Sequence, residues 1–344
     1  MSEFLKNVQK ELGDSVHVGT ESVHCWDTGV YALNRALGGG IPAGRMSLLC
    51  GKESTCKSTI AAKLAARVSS THRETGEMCS LEDPNSCNVL YCDQEGAIDR
   101  DWVLTHGYNP DENGNIVLST DTGNQIIDVI NAALQSGEFS LIILDSLEAC
   151  QPHKDLDKSS ESFLVGTRAK MINDAYRRFQ VAINASRKGI ENWWQRPTFL
   201  AINQLRDAIS IMPKPPTLPG GIGQKQFSST IIQMNSPQYS NDGKLGGKGT
   251  FRGVIKKNKV ATPRVGFEFE MALKEIEGEM SLGEVDNVKS ILKDIRQFKM
   301  WQKDDNGRWD LFGHKADKQD EFGAKMRAEP DFELEIMNKV IQEL

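Results

Sequence analysis

The sequence predicts an α/β protein in which helices cover both faces of a mainly parallel central sheet. Short apolar runs such as Met46–Cys50 and Ser140–Leu144 alternate with longer segments of helical periodicity such as Thr122–Ser136. Unbroken apolar runs are typical of strands buried on both faces, and strands separated by helices usually run parallel. With 344 residues, 39% of them hydrophobic, the chain has room for about two domains.

The predicted elements of the first 203 residues follow one another in a simple order. We expect strands and helices, in turn, at Met46–Cys50, Thr59–Val68, Val89–Cys92, Thr122–Ser136, Ser140–Leu144, Gly166–Ser186 and Thr198–Asn203. Each predicted strand is apolar throughout, and each helix has apolar residues at three- and four-residue spacing. Residues 70–88 have no such periodicity and predict a polar surface insertion.

The two ends of the chain predict smaller units. Phe4, Leu5, Val8 and Leu12 have near-helical spacing and predict a short N-terminal helix. Alternating segments at 229–234, 253–255 and 266–271 predict further strands, and helices return from about residue 275. We therefore divide the chain into an N-terminal helix and linker at 1–30, a core at 31–274, and a small α+β domain at 275–344.

Composition excludes several classes of protein. The chain has 41 basic and 47 acidic residues, a net charge of -6, and no run near the ~18 apolar residues of a membrane span. This balance excludes disorder, collagen-like repeats and a coiled coil as descriptions of the whole chain. The N-terminus does not resemble a signal peptide, and the seven cysteines form no C-x-x-C pair, so we expect a cytosolic protein with free thiols.

A candidate phosphate-binding loop joins the first apolar strand to the following helix. Residues 51–59 read GKESTCKST, which fits the pattern G-x-x-x-x-G-K-[ST] except that Cys56 replaces the second glycine. In such a loop, main-chain amides bind phosphate, Lys57 contacts the β- and γ-phosphates, and the Ser58 hydroxyl is a ligand of Mg²⁺. The alternative is a chance Lys-Ser pair at the start of a helix.

Three further apolar strands lead into polar residues that suit the same chemistry. Asp145 ends the strand in SLIILDSL, where a carboxylate can order the Mg²⁺ shell through water. Glu95 follows VLYCDQ and is a candidate base for an attacking water. Gln204 ends TFLAINQ, where an amide can sense the γ-phosphate and signal to a mobile loop. The alternatives are acids that only cap turns and a glutamine that is satisfied in the core.

Taken in order, these segments resemble those of the RecA family of recombinases over about residues 1–275. ALGGGIPAGRMSLLCGKESTCKST is similar to the family's phosphate-loop region, DQEGAIDRDW to its catalytic-glutamate segment, and ILDSLEA to its second nucleotide motif. INQLRDAISIM with PGGIGQKQFSS is similar to the switch glutamine and second DNA-binding loop, and VIKKNKVATPR to the inter-subunit lysine strand. Cys56, the 70–88 insertion and the different C-terminal region suggest a divergent branch, similar to the T-even-type bacteriophage recombinases.

The resemblance implies that residues 31–274 are a RecA-like P-loop NTPase core that uses ATP and Mg²⁺. Glu95 would activate water, Gln204 would sense the γ-phosphate, and Lys57 would act with Lys257 and Lys259 of a neighbouring subunit. Ser58 and Asp145 would be the metal ligands, and Trp102 would stack on adenine. The implied nucleotide-binding residues are Gly51, Lys52, Glu53, Ser54, Thr55, Cys56, Lys57, Ser58, Thr59, Trp102, Asp145 and Ser146.

The resemblance also implies two DNA-binding loops, at about residues 152–166 and 205–225. Val165 and Ile209 would wedge between bases. The expected contacts to the DNA backbone are Arg168, Lys170, Arg177, Arg206, Gly220, Gly221 and Lys225. Backbone contacts leave the base edges free to pair with a second DNA, so binding is independent of sequence. For the three basic residues of the helix after the first loop, a solvated face is the alternative.

The predicted function is that of a DNA-dependent ATPase that forms helical filaments on single-stranded DNA and exchanges strands with homologous double-stranded DNA. Its expected partners are these DNAs, further copies of the chain, a mediator and a single-strand-binding protein, in the cytoplasm of a bacterium or phage-infected bacterial cell. A hexameric replicative helicase and a non-catalytic recombination mediator are the alternatives. The KKNK segment at 256–259 favours the recombinase, whereas Cys56 in the phosphate loop leaves the non-catalytic mediator as an alternative.

The distribution of charge agrees with a DNA partner although the chain is acidic. Residues 204–264 contain 10 basic and 2 acidic residues, whereas residues 1–203 contain 19 and 26 and residues 265–344 contain 12 and 19. Lys and Arg are the side chains that bind phosphate backbones. The positive charge is therefore concentrated in the segment that holds the second implied DNA loop and the inter-subunit lysines.

Overall fold

A nine-stranded sheet forms the centre of the protein. The computed structural model describes residues 22–80, 82–112, 114–153, 164–187, 190–206, 216–239 and 247–344, together with Glu3 and Lys10. The elements, numbered along the chain, are β1 (Cys25–Trp26), α1 (Tyr31–Leu37), β2 (Ile41–Pro42), β3 (Met46–Gly51), α2 (Lys57–Ser69), β4 (Asn88–Asp93), α3 (Arg100–Thr105), β5 (Ile116–Leu118), α4 (Gly123–Ser136), β6 (Phe139–Asp145), α5 (Leu164–Ser186), β7 (Thr198–Gln204), α6 (Gly223–Phe227), β8 (Thr230–Met234), β9 (Gln238–Tyr239), β10 (Lys248–Asn258), β11 (Gly266–Ala272), α7 (Asn287–Gln297), β12 (Gln302–Lys303), β13 (Trp309–Leu311), β14 (His314–Ala316), α8 (Gln319–Ala328) and α9 (Pro330–Glu343).

The strand order across this sheet is β11-β10-β8-β3-β7-β6-β4-β5, and β9 also pairs with β10. From β8 to β5 every neighbouring pair is parallel. At the other edge, β10 pairs antiparallel with β8, β9 and β11. The predicted α/β fold with a mainly parallel central sheet is therefore confirmed.

Alternate residues of the parallel strands face opposite layers of helices. On one face, Leu49 and Tyr91 belong to an apolar cluster with residues of α2. On the other face, Leu48 and Leu90 belong to a second cluster with residues of α4 and α5. Both faces are covered, so these strands read as unbroken apolar runs. Helix α4 begins with a capping box between Thr122 and Gln125, which fixes where the chain enters the helix.

The structure corrects several predicted boundaries. The first helix expected from about residue 275 begins only at Asn287, because an isolated bridge between Ile276 and Met280 and two glycines at positive φ form a turn before it. The strand predicted at 253–255 is part of the 11-residue β10. The elements α3 and β5 were not predicted, since they have only 6 and 3 residues and show no clear period. Apart from Glu3 and Lys10, the predicted N-terminal helix lies outside the described residues.

The polar insertion at 70–88 is held against the body of the protein by tryptophan packing. Trp194 donates its indole N–H to the carbonyl of Arg73 at 2.9 Å. The same ring occupies the space beside Gly76, where an added Cβ would lie 2.7 Å from a ring carbon. Two bridges, Thr71 with Met78 and His72 with Ser86, complete the local structure. The insertion is an ordered appendage of α2 and β4 in spite of its polar sequence.

Helices α7, α8 and α9 enclose a third apolar cluster beside the small sheet β12-β13-β14. Tyr31 of α1 also belongs to this cluster, so α1 links the central sheet to the C-terminal region. The division of the chain at residues 30 and 274 stays a prediction. Within the described residues, no helix is both long enough and apolar enough to span a membrane.

One buried carboxylate joins α1 to α7. Asp294 is only 4% exposed, accepts a hydrogen bond from the Tyr31 hydroxyl at 2.8 Å, and pairs with Arg35 Nε at 3.0 Å. The Tyr31 amide donates to Asn287 Oδ1 at 2.9 Å. Burial, and then the hydrogen bond to Asp294, raise the pKa of the Tyr31 hydroxyl, which therefore stays a donor. Polar contacts from two residues of α1 therefore join it to α7.

Replacing Asp294 with alanine should lower the free energy of unfolding by about 3 kcal/mol, because Tyr31 and Arg35 lose their shared partner in a buried position. Urea denaturation followed by circular dichroism measures the change. The control is Asp305→Ala, which removes an exposed carboxylate from the same region and should cost less than about 0.5 kcal/mol. Equal losses in the two variants would contradict the role given to Asp294.

Candidate functional site

The candidate phosphate loop lies between the end of β3 and the start of α2. Ser54 and Cys56 both adopt left-handed backbone conformations, with φ of 57° and 56°. The Lys57 ammonium donates to the carbonyl of Lys52 at 2.7 Å, and the Thr55 hydroxyl donates to the same carbonyl at 2.8 Å. These contacts curl the loop around the first turn of α2. Main-chain amides and a helix N-terminus are thereby presented together, an arrangement that binds phosphate.

Gly51 is required by close packing at the base of the loop. A Cβ at this position would lie 2.6 Å from Thr55 Oγ1 and 2.9 Å from Met234 Cβ. Both distances are shorter than side-chain atoms tolerate, and Met234 belongs to the neighbouring strand β8. The strand can therefore turn into the loop here only without a side chain.

Cys56 occupies the position where the pattern has its second glycine. It is the N-cap residue of α2 and keeps the left-handed conformation, with φ 56° and ψ 30°. Its side chain packs beside the first apolar cluster, and burial raises the pKa of the thiol. The loop keeps a glycine-like conformation at this residue, and the added thiol packs against the core.

Asp145 lies beside this loop at the end of β6. One of its oxygens accepts hydrogen bonds from the Ser58 hydroxyl at 2.7 Å and from the Tyr91 hydroxyl at 3.0 Å. Burial raises the pKa of Asp145, and these two hydrogen bonds act in the opposite direction. Burial also lowers the pKa of Lys57, whereas the charges of Asp145 and Glu95 raise it. A hydroxyl and a carboxylate in contact are oxygen ligands of the kind that Mg²⁺ takes.

Glu95 lies on the far side of the same cleft. Its Oε1 accepts hydrogen bonds from the Ser146 hydroxyl and, at 3.3 Å, from Gln204 Nε2. The side chain is exposed, so a water molecule can reach it. The cleft has a volume of about 300 Å³ and is lined by Glu53, Ser54, Thr55, Cys56, Lys57, Ser58, Thr59, Glu95, Asp145 and Gln204.

Strand register explains why these residues meet. Gly51 of β3 pairs with Gln204 of β7, and Asp93 of β4 pairs with Asp145 of β6. The carboxyl ends of four parallel strands therefore reach the same edge of the sheet, where open α/β sheets bind ligands. Asp93 itself accepts from the Ile98 amide at 2.9 Å and holds the turn that follows β4.

Trp102 lies outside the lining of this cleft, on the short helix α3 that follows Glu95. Its amide donates to the N-cap residue Asp99 at 2.7 Å. Its indole ring lies at 88° to the imidazole of His106, with the ring centroids 4.6 Å apart. The indole is partly exposed and has the large flat surface that a base requires.

The residues predicted to bind DNA are only partly brought together. Arg206, at the root of the second loop, pairs with Glu148 in the turn after β6. Gly220 and Gly221 both have positive φ and pack closely on α5, and Lys225 is exposed on α6. Ile209 and the rest of 207–215 lie outside the described residues.

The first predicted loop lies mostly outside the described residues, since 154–163 are not among them. Val165 belongs to α5. Arg168 turns inward and donates to the carbonyl of Glu148 at 3.1 Å, whereas Lys170 and Arg177 are exposed, the latter paired with Asp174 at 3.2 Å. The helix therefore does not present its three predicted DNA-binding cations on a single surface.

Lys257 and Lys259 lie near the C-terminal end of β10 and just beyond it, outside the lining of the cleft of their own chain. The Lys257 ammonium donates to the carbonyls of Lys225 and Gln226 at 2.6 and 2.9 Å. Burial, and then the charge of Lys259, lower the pKa of Lys257. The first predicted inter-subunit lysine thus contacts α6, the helix at the end of the second predicted DNA loop.

The family model described as RecA N-terminal domain matches residues 1–278. The chain belongs to the RecA family. With this membership come ATP binding, DNA binding and a P-loop NTPase core that serves DNA recombination and repair. The predicted resemblance to the family is confirmed.

Among curated RecA-family proteins, the chain is 27% identical to protein RecA of Nocardioides sp. over 99% of its own length and 88% of the relative. It is 28% identical to protein RecA of Halalkalibacterium halodurans, over 98% and 89% of the two chains. Among solved structures, the RadB recombinase matches with a TM-score of 0.47 at 16% identity, over 72% of this chain and 96% of that one. Both curated relatives are bacterial, so the resemblance to the T-even-type branch stays a prediction.

Two residues of this RecA-family site could not be recognised in the sequence. Tyr91 lies inside an unbroken apolar run, where a tyrosine is read as core, yet its hydroxyl contacts Asp145. Glu148 lies within the segment ILDSLEA, where the sequence gives it no partner, yet it pairs with Arg206. Neither contact has a sequence signal, because each depends on which strands are neighbours.

Replacing Gly51 with alanine should weaken ATP binding about tenfold or more, because the added Cβ would push Thr55 and Met234 apart and move the loop. Isothermal titration calorimetry with ATP measures the change. The matched control is Gly166→Ala, since a Cβ at Gly166 meets no heavy atom within 4 Å. An unchanged affinity in the Gly51 variant would contradict the packing argument.

Proposed function

We propose that this RecA-family chain is an ATP-dependent DNA recombinase that assembles on single-stranded DNA and exchanges strands with homologous double-stranded DNA. The observation that carries the proposal is the contact between Gln204 and Glu95 at 3.3 Å. Gln204 ends β7, and the chain continues directly into Arg206 and the second DNA loop. A change at the γ-phosphate can therefore be passed to the DNA loop through two residues.

The cleft suits ATP with Mg²⁺. Ser58 and Asp145 share a hydrogen bond of 2.7 Å, and these two oxygen-bearing side chains would hold the divalent cation. The bound cation would supply charge neutralisation at the β- and γ-phosphates. Lys57 would contact the same phosphates, while the loop amides would hold the β-phosphate. Trp102 would stack on the adenine ring.

Glu95 is the proposed base in ATP hydrolysis. Its carboxylate would accept a proton from the attacking water as the water oxygen bonds to the γ-phosphorus, and the bond to the β–γ bridging oxygen breaks with its electron pair leaving on ADP. Ser146 and Gln204 both donate to Glu95 Oε1, so they fix its orientation and leave Oε2 for the water. Gln204 would exchange its contact with Glu95 for one with the γ-phosphate.

The DNA is proposed to lie along the two loops. Arg206, Gly220, Gly221 and Lys225 would contact phosphates from one side. Lys170 and Arg177 would contribute from the exposed side of α5, Arg168 would do so after releasing its contact with Glu148, and Val165 and Ile209 would enter between bases. Filament partners, a mediator, a single-strand-binding protein and a bacterial cytoplasmic location all stay predictions.

The function is tested by measuring ATP hydrolysis with and without single-stranded DNA, together with strand exchange between homologous DNAs. We expect DNA-stimulated hydrolysis, helical filaments by electron microscopy and exchanged strands. Glu95→Gln should keep ATP binding but lower the hydrolysis rate about a thousandfold, because the proton acceptor is lost. Glu74→Gln, which changes an exposed acid in the insertion, is the control and should have no effect.

Each failure of this test has a specific meaning. Rings in place of helical filaments would favour the hexameric helicase. DNA binding without ATP hydrolysis would favour the non-catalytic mediator. Homologous strand exchange that persists with no nucleotide present would contradict the ATP-dependent mechanism itself.

The trans role of the lysines is tested by Lys257→Ala, which should lower DNA-stimulated hydrolysis about a thousandfold, since the stabilising cation must come from the next subunit. Lys256→Ala, an exposed neighbour on the same strand, is the control and should keep most of the activity. A mixture of Lys257→Ala with Lys57→Ala subunits should recover activity, because some interfaces then combine an intact loop with an intact lysine. Inactivity of this mixture would contradict the trans assignment.

A further inference from the structure

His106 is a buried histidine whose ring packs against the turn at Gly283 and against the indole of Trp102. It is 6% exposed, neither ring nitrogen meets the geometry of a hydrogen bond within the described residues, and the backbone of Gly283 is a polar group beside the ring. Burial, and then the nearby charge of Lys63, lower its pKa to about 4, so the ring is neutral at pH 7. A buried polar group without a partner costs free energy, and an apolar side chain would fill the same space without that cost.

The ring of His106 packs against the main chain of the turn before α7. An added Cβ on Gly283 would lie 2.4 Å from His106 Cε1 and 2.7 Å from Nδ1, so the imidazole fills the space left by that glycine. Gly283 has a φ of 77° and lies in the turn before α7. The next residue, Gly107, approaches α2, where its Cβ would lie 3.5 Å from Ala66. The close main chain at Gly283 therefore restricts where the His106 ring can move.

The imidazole also contacts the indole of Trp102. The two ring centroids are 4.6 Å apart, and the ring planes lie at 88° to each other. The backbone of Trp102 is already fixed, because its amide donates to Asp99 at 2.7 Å and its carbonyl accepts from Thr105 at 2.7 Å. What remains free is the rotation of the side chain. A perpendicular neighbour restrains that rotation and leaves at least one face of the indole open, whereas a stacked neighbour would cover a face.

We propose that His106 is the positioning residue for the adenine-binding face of Trp102. The inference rests on the proposed role of Trp102 in ATP binding and adds to it the group that sets the indole rotamer before ATP arrives. Holding the rotamer in the free protein removes an ordering cost from binding, so the effect appears in nucleotide affinity. The chemical group recognised is the base, and the phosphates are unaffected.

The test compares ATP with inorganic tripolyphosphate, which has the phosphates but no base, by calorimetric titration in the presence of Mg²⁺. His106→Ala should weaken ATP about three- to tenfold and leave tripolyphosphate unchanged, because one aromatic contact is lost. His106→Phe, which keeps a ring against the indole, should restore ATP affinity to within about twofold of the original. In a Trp102→Ala background, His106→Ala should have no further effect on ATP.

A matched control separates positioning from general damage to α3. Val103→Ala removes a buried side chain, 4% exposed, from the same helix without touching the ring contact. It should lower the melting temperature as His106→Ala does, yet leave the ratio of ATP to tripolyphosphate affinity unchanged. A fall in tripolyphosphate affinity in His106→Ala, or a further loss of ATP affinity in the Trp102→Ala background, would overturn the inference.

The outcome also distinguishes this inference from the function on which it rests. If Trp102→Ala leaves ATP affinity unchanged, the proposed adenine contact is wrong and the role of His106 is overturned with it. If Trp102→Ala weakens ATP but His106→Ala does not, only the positioning role is overturned. The pKa of His106 is about 4, so its ring is already neutral throughout pH 6 to 8 and does not titrate there. ATP affinity in His106→Phe should therefore follow the same pH profile as in the original protein over this range.

Discussion

The site depends on one buried carboxylate at the edge where the parallel strands end. Asp145 is 6% exposed, and its environment raises its pKa, so the anion is costly unless donors surround it. Ser58 supplies one hydroxyl from α2 and Tyr91 another from β4. These contacts tie the phosphate loop on one side to the Glu95 strand on the other. The oxygen atoms proposed to hold the cation would therefore be oriented before it binds.

Strand order places the end of β7 between the proposed nucleotide site and the start of the second predicted DNA loop. β7 lies between β3 and β6, so Gln204 ends between the phosphate loop and the Asp145 strand. The two donors to Glu95 come from different strands, Ser146 following β6 and Gln204 ending β7. Just beyond them, Arg206 pairs with Glu148 of the turn after β6. The nucleotide cleft and the roots of both predicted DNA loops therefore share the same two strand ends.

The sequence was sufficient to predict the sheet and to locate the loop between β3 and α2, because both produce local patterns: apolar runs and a fixed spacing of Gly51, Lys57 and Ser58. Contacts between strands produce no such pattern, so Tyr91 appeared to be core. The turn before α7, which begins at Asn287, and the six-residue helix α3 were not predicted, because both are too short to show a period. Cys56 departs from the sequence pattern, yet the left-handed conformation is kept and the thiol packs inward.

The contact of Lys257 bears on why hydrolysis would require assembly. In the isolated chain its ammonium donates to two carbonyls at the end of α6, a position where the helix dipole favours a positive charge. To reach a neighbour's phosphate, the lysine must give up both bonds, each worth about 1–3 kcal/mol for a charged donor. Under the proposed trans role, a neighbour's triphosphate would offer a stronger acceptor, so the exchange would be favourable only when a loaded neighbour is in place. Because the two acceptor carbonyls belong to α6, at the end of the second predicted DNA loop, DNA bound to Lys225 would change the cost of the exchange.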